Sequence, residues 1–379
     1  MNEPTVSPRR HRLGVRVTHG QNALIRQVAE LEDATVTAFV LDTVTAGLQI
    51  AGRRGMPRSD KEILDATRPF AIERAVRSWS HVVTAFGLAG VAVWGAARLP
   101  WMAARVASSI VEGLLLVRMF VLFHDFYHGA LLRSSRAARL VFWTYGQLVL
   151  TPPKVWRQTH NYHHAHNGKI VGSHVGAYPV VTLAMWTKMS PLARLAYRAS
   201  RHPLTILLGP LTVFGWGMCV SPFLRDRRRN TSALLPLALQ LVLAVAVVHT
   251  LGWATYALAV GVPLGIAMVA GAYLFYAQHN FPGVYLQPRD EWTYVRAALE
   301  SSSYMPMGPV MSFFTGNIGF HHVHHLNPSI PFYRLPEAMR AIPELHAAKT
   351  TTLGPRDILA CFALDIWDPA HGQMVRRPH

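Results

Sequence analysis

Apolar positions are not spread evenly along the 379 residues; they gather into long runs parted by basic polar stretches. Four runs reach the length of a bilayer crossing: about 82–97, 106–123, 233–249 and 252–277. The last holds 26 consecutive uncharged residues and is the clearest. The second carries Glu112 and Arg118, and Arg118 lies near enough to the end of the run to reach the headgroups by snorkelling. A fifth run, 204–220, is shorter and is broken by Gly209-Pro210, so it reads as interfacial rather than spanning. Residues 1–56 read as a polar, partly flexible N-terminal tail, with an amphipathic helix over 21–50. Residues 57–379 read as one membrane domain. Asp60 is placed to cap a helix that continues to about residue 80. Strand-like alternation is scarce, so the pattern predicts an all-α integral membrane protein with a helical cytoplasmic cap.

Composition supports this picture. Hydrophobic residues make up 51% of the chain and charged residues only 15%, against about 25% in a typical soluble domain. The net charge is +17. Nucleic-acid binding does not follow from that charge, because the cations lie between apolar runs and no nucleic-acid motif occurs. The segment 124–232 holds 14 Lys and Arg against two acids, Asp125 and Asp226, which places it on the cytoplasmic side. With four spans, 278–379 shares that side. The N-terminus shows no apolar core after its basic residues, so insertion relies on internal spans. The two cysteines, Cys219 and Cys361, form no metal-binding or disulfide framework.

The unusual count is histidine, with 20 residues. Three clusters stand out: His124-Asp125-Phe126-Tyr127-His128, His160-Asn161-Tyr162-His163-His164, and His321-His322-Val323-His324-His325. His279 follows the fourth apolar run directly. In the first cluster, i and i+4 share one helical face. In the other two, position i neighbours both i+3 and i+4, which themselves diverge by about 100°. An adjacent pair aimed in two directions suits two metal ions side by side better than one. Imidazole suits Fe, Zn, Cu and Ni, and spacing does not choose among them. The chain has no Glu-x-x-His, so it lacks the pattern of the soluble di-iron carboxylate bundles. His166 and His322 sit inside clusters but off the pattern. His174, His202 and His249 stand alone, where packing or hydrogen bonding is the ordinary role.

The three motifs in this order, with the stretches WRQTHNYHHAHN (156–167) and TGNIGFHHVHHLNPSIPFYRL (315–335), resemble the membrane fatty acid desaturase superfamily, and within it the bacterial and plant acyl-lipid branch. The resemblance covers some 300 residues, more weakly outside the motifs. It implies four transmembrane helices, a helical cytosolic cap and two Fe ions held by His124, His128, His160, His163, His164, His279, His321, His324 and His325. It also implies O2 as co-substrate and removal of two hydrogens from a long, lipid-linked acyl chain. Two departures from the acyl-CoA branch are a first motif of HxxxH spacing and Phe275 where that branch has an asparagine near a metal-bound water. Asn280 or Asn317 is the candidate replacement, and Asp125 a candidate to orient a ligand histidine. Trp143, Tyr145, Trp156 and Tyr162 are candidates to line the substrate channel or cap it, with ordinary packing as their alternative role. No haem motif, iron–sulfur cysteine set or dinucleotide-binding loop occurs, so electrons are expected from a separate donor such as ferredoxin, drawn to the basic face. A lipid or carotenoid hydroxylase on the same scaffold is the neighbouring reading. A metal-binding transporter is disfavoured because the histidines lie at or beyond span ends.

Overall fold

The computed structural model describes residues 58–170 and 175–377, with a few isolated positions between 25 and 36. The expected helix over 21–50, the tail boundary at 56 and His174 lie outside what is described. Everything below concerns the compact unit Asp60–His379.

Helix α1 spans Asp60–Thr67 and stops there. The helix expected to reach residue 80 is interrupted because Pro69 cannot continue it: Arg68–Ala71 tightens into a 3-10 turn, and a new helix starts at Ala75. Four helices are long and apolar enough to cross a membrane: α2 (Ala75–Arg98), α3 (Met102–His128), α7 (Thr231–Leu251) and α8 (Trp253–His279). Each extends past the apolar run that announced it. Between them lie α4 (Arg136–Leu148), α5 (Pro153–His166) and α6 (Pro191–Arg201). After α8 come the short helices α9 (Tyr294–Glu300) and α10 (His321–Leu326). A three-stranded sheet joins β1 (Val181–Thr182) in parallel to β2 (Ile366–Asp368), which pairs antiparallel with β3 (Gln373–Val375).

The second long helix, α3, is the central one. It packs against both α2 and α8, and 56% of its most apolar window is buried, against 11% for α7. The exposed faces remain apolar, as at Trp94, Leu241, Val242 and Val245. Such a surface belongs in lipid, where helices satisfy their own backbone hydrogen bonds. Over residues 204–220 a short helix, Pro203–Leu207, leads into π-helical backbone over Pro210–Val220, which continues directly into the helix Ser221–Arg225, packs against α8 and buries Phe214 and Cys219.

Arg118 does not snorkel. It is 3% exposed and turned inward, donating to the Phe313 carbonyl and lying 3.2 Å from His81 Nδ1. Its guanidinium also sits 4.1 Å from the Phe313 ring centroid. A carbonyl and an aromatic face in the interior replace the headgroup water. Gly129, at φ 77°, ends α3 one residue after His128.

The approach of α3 to α8 depends on Gly113. A Cβ there would lie 2.7 Å from Ile266 Cβ and 3.1 Å from the Pro263 carbonyl oxygen, neither of which is free to swing away. Gly113→Ala is therefore expected to destabilise the protein by about 1–3 kcal/mol through overpacking. A lower thermal midpoint of the detergent-purified variant would show it; an unchanged midpoint would contradict the close packing.

Candidate metal centre

Each motif reaches the centre on its own element. His124 and His128 end α3, one above the other on a single face. Helix α5, opened by Pro153 in its first turn, carries His160, His163 and His164 in its last turns. His279 is the last residue of α8, and α10 consists almost wholly of the third motif.

The nine histidines sort into two groups. His124, His128, His160, His164 and His324 bring one ring nitrogen each to within 4.8 Å of one another, and His163, His279 and His325 do the same. His321 joins the second group, its Nε2 2.9 Å from His279 Nε2 and 3.2 Å from His325 Nε2. The two HxxHH motifs are used reciprocally. In α5 the i and i+4 rings, His160 and His164, enter the five-histidine group, and the i+3 ring, His163, enters the other. In α10 the i and i+4 rings, His321 and His325, enter the four-histidine group, and His324 crosses to the first. The groups touch where His164 stacks on His325 at 4.2 Å.

Two of these histidines have a fixed tautomer. His124 Nδ1 lies 3.0 Å from Asp125 Oδ1, and Asp125 Oδ2 accepts the Phe332 N–H at 2.7 Å. His279 Nδ1 lies 3.1 Å from the Ser301 carbonyl oxygen, which can only accept. With Nδ1 carrying the proton, Nε2 presents its lone pair. Burial, reinforced by neighbouring imidazoles, holds His160, His163, His164, His321, His324 and His325 well below the usual imidazole value. The rings are neutral ligands at physiological pH. Lone pairs converging in a buried space, with His128 Nε2 left without any protein partner, fit cations better than they fit one another.

Not every expected residue is at the centre. Asp125 is, through His124. Asn280 turns away: its amide nitrogen donates to the Cys361 and Leu364 carbonyls, and its oxygen accepts from buried Arg201. Asn317 donates to the Phe332 carbonyl at 3.1 Å and bonds no histidine directly. Phe275 packs edge-on against His163 and His279, at 5.0 and 5.2 Å. His166 stacks on Tyr162 and His322 lies 3.3 Å from the Met339 sulfur, so both off-pattern rings face elsewhere. The Ser301 carbonyl and the Phe332 N–H were not foreseen, because backbone groups leave no mark in a sequence. Gln278 was also missed; it lines the cavity below, and its signal was a lone amide closing an uncharged run.

A cavity of about 870 Å³ runs from His124, His160 and His321 between α3, α8 and the 210–220 segment. Its walls include Leu116, Phe120, Met268, Gly271 and Phe275. Tyr145 and Trp156 line it; Tyr145 donates to the Leu116 carbonyl and Trp156 stacks on His160 at 4.4 Å. Trp143 does not: it is 44% exposed on the outer face of α4. Tyr162 is spent on His166 and lies off the lining.

The family model described as fatty acid desaturase matches residues 99–353, which include all nine histidines. The chain belongs to the fatty acid desaturase family. It is 32% identical to a fatty acid desaturase of Bacillus subtilis (strain 168), over 71% of this chain and 76% of the relative. It is 24% identical to an sn-1 oleoyl-lipid 12-desaturase of Synechocystis sp., over 76% and 83%, and to an acyl-lipid (9+3)-(E)-desaturase of Dimorphotheca sinuata, over 74% of each. A second model, antitoxin TacA 1-like, matches residues 12–49, nearly all outside the described region. The desaturase is thus a fatty acyl desaturase enzyme and a membrane protein.

The buried imidazoles set a pH dependence. Their folded values lie below the unfolded one, so below pH 6.5 the unfolded chain takes up protons that the folded desaturase refuses. Stability of the metal-stripped protein should be full above 6.5 and fall as the pH drops. His322, held near 4 by burial, accounts for up to about 3 kcal/mol of that loss on reaching pH 4. Thermal midpoints of wild type and His322→Leu from pH 7.5 to 4.5 are the check: the variant should lose less, and a wild-type midpoint that rises on acidification would refute the sign.

Proposed function

We propose that the desaturase uses two iron ions and O2 to introduce a double bond into a long fatty acyl chain linked to a membrane lipid. The observation that carries this reading is the cavity, apolar along its walls and ending on His124, His160 and His321. An acyl chain entering from the bilayer meets the metal centre without crossing water. Removing hydrogen from an unactivated methylene needs a strong oxidant, which the irons supply with O2 and which no side chain offers.

The chain's own residues do the rest. The nine histidines hold the metals, with Asp125 and the Ser301 carbonyl fixing His124 and His279. Leu116, Phe120 and Phe275 hold the acyl chain and keep water from it. A lipid carrier is supported by the names of the Synechocystis and Dimorphotheca relatives and by the basic stretch Arg225–Arg229, suited to anionic headgroups. The excess of cations over 124–232 supports a cytoplasmic position for the histidines, in a desaturase domain spanning 57–379 with 204–220 at the interface. Electrons come from a separate acidic protein of the ferredoxin type, steered by the basic face.

Lipids of cells expressing the chain, read by gas chromatography with mass spectrometry, should contain a new double bond; hydroxy fatty acids as the main product would overturn desaturation. Purified protein from iron-replete cells should carry about two irons. His164→Ala and His324→Ala should abolish the product, whereas His202→Ala should not. Zinc at full occupancy, with no activity recovered on adding iron, would refute the di-iron reading.

A further inference from the structure

We propose that Asn317 is a positioning residue that couples the three motifs, acting on the five-histidine group through Phe332 and Asp125. The inference rests on reading the nine histidines as a two-metal centre. It starts from backbone conformation. Gly316 and Asn317 stand in succession at φ 52° and 55°, a left-handed pair. A Cβ at Gly316 would lie 2.9 Å from Val121 Cγ1, so the turn is pressed onto α3 one helical turn before Asp125.

Three connections leave this turn. The Asn317 carbonyl accepts the Phe320 N–H at 3.0 Å, and the Phe320 carbonyl accepts the N–H groups of Val323 and His324, which starts α10. The next residue, Ile318, accepts at its carbonyl the side-chain amide of Gln278, beside His279, at 2.8 Å. The Asn317 side chain donates to the Phe332 carbonyl at 3.1 Å, while the Phe332 N–H donates to Asp125 at 2.7 Å. Phe332 is thus held on both sides of its Cα, and its N–H is aimed at the carboxylate that orients His124. Asparagine is the residue this position requires. It tolerates the left-handed conformation and brings an amide donor; glycine has the first property without the second, and aspartate keeps the size and the tolerance but cannot donate.

Those differences give the test. Full-length protein, purified in detergent and stripped of metal, is titrated with cobalt(II), followed by its visible absorption and by metal analysis. Wild type should bind about two cobalt ions per chain. Asn317→Asp and Asn317→Gly should each weaken one of the two by about 10- to 100-fold and leave the other unchanged. Asp125→Asn, which leaves the turn untouched, should reproduce that loss, and the double variant Asp125→Asn/Asn317→Asp should lose nothing more, since both break one connection. Asn317→Gly binding both ions as wild type does would overturn the proposal. So would additive effects in the double variant, or unaltered affinities in Asp125→Asn, a result that stands even if the Asn317 variants fail to fold. Wild type that binds no cobalt would instead remove the two-metal reading, and this inference with it.

Discussion

The structure depends on bringing nine imidazoles together in its interior. Burying a polar ring without a partner is unfavourable, and these rings face mainly one another. Their donor atoms are drawn from two long helices, α3 and α8, and from two cap helices, α5 and α10, whose motifs lie some 160 residues apart. Such an arrangement favours something at the centre that accepts the lone pairs, as a pair of cations would. Cations bound there would tie the elements that meet at the centre in addition to their own packing, in the manner of structural metal sites.

Helix geometry explains why the centre divides as it does. Side chains at i and i+4 rise on one face, and the i+3 ring is turned away from its neighbour at i+4 by about 100°. Two such motifs facing each other have few ways to share two centres. Here each gives its aligned pair to one group and its third histidine to the other, so that α5 and α10 grip both groups. The helix α3 contributes only an aligned pair, His124 and His128, and both go to one group. That leaves five histidines on one side and four on the other, with Phe275 packed against His163 and His279 of the smaller group.

The surroundings serve access and exclusion. Gly113 lets α3 and α8 approach closely, and Gly271 and Ala272 on α8 leave room for the cavity. Arg118, a charge within a spanning helix, is buried against Phe313, Phe332 and His81, close to the segment that carries the Phe332 N–H to Asp125. Arg118 thus lies on the side of α3 that meets the 313–333 segment, the segment that also supplies Asp125 with the Phe332 N–H.

The long apolar runs and the periodic histidines were legible in the sequence because each is a local pattern: a bilayer sets the length of the first, and the helical repeat sets the spacing of the second. Membrane class, the helical character and the three histidine motifs as candidate metal ligands follow from those patterns alone. Contact between elements far apart in the chain carries no local pattern. Pro69 cut the helix that the cap at Asp60 suggested would reach residue 80, and Arg118 turned inward because Phe313, nearly two hundred residues later, offered it a carbonyl. Asn280 and Asn317 look equivalent beside their motifs, yet one is bound to Arg201 and the C-terminal segment and the other to Phe332. Trp143 and Tyr145 are two residues apart on α4, and the 3.6-residue turn alone puts one outside and the other against the cavity once α3 is in place. Which histidine joins which group is settled by how the third motif meets the second, His324 on His164 and His325 on His163, a matter of packing between elements that the order of residues does not encode one by one.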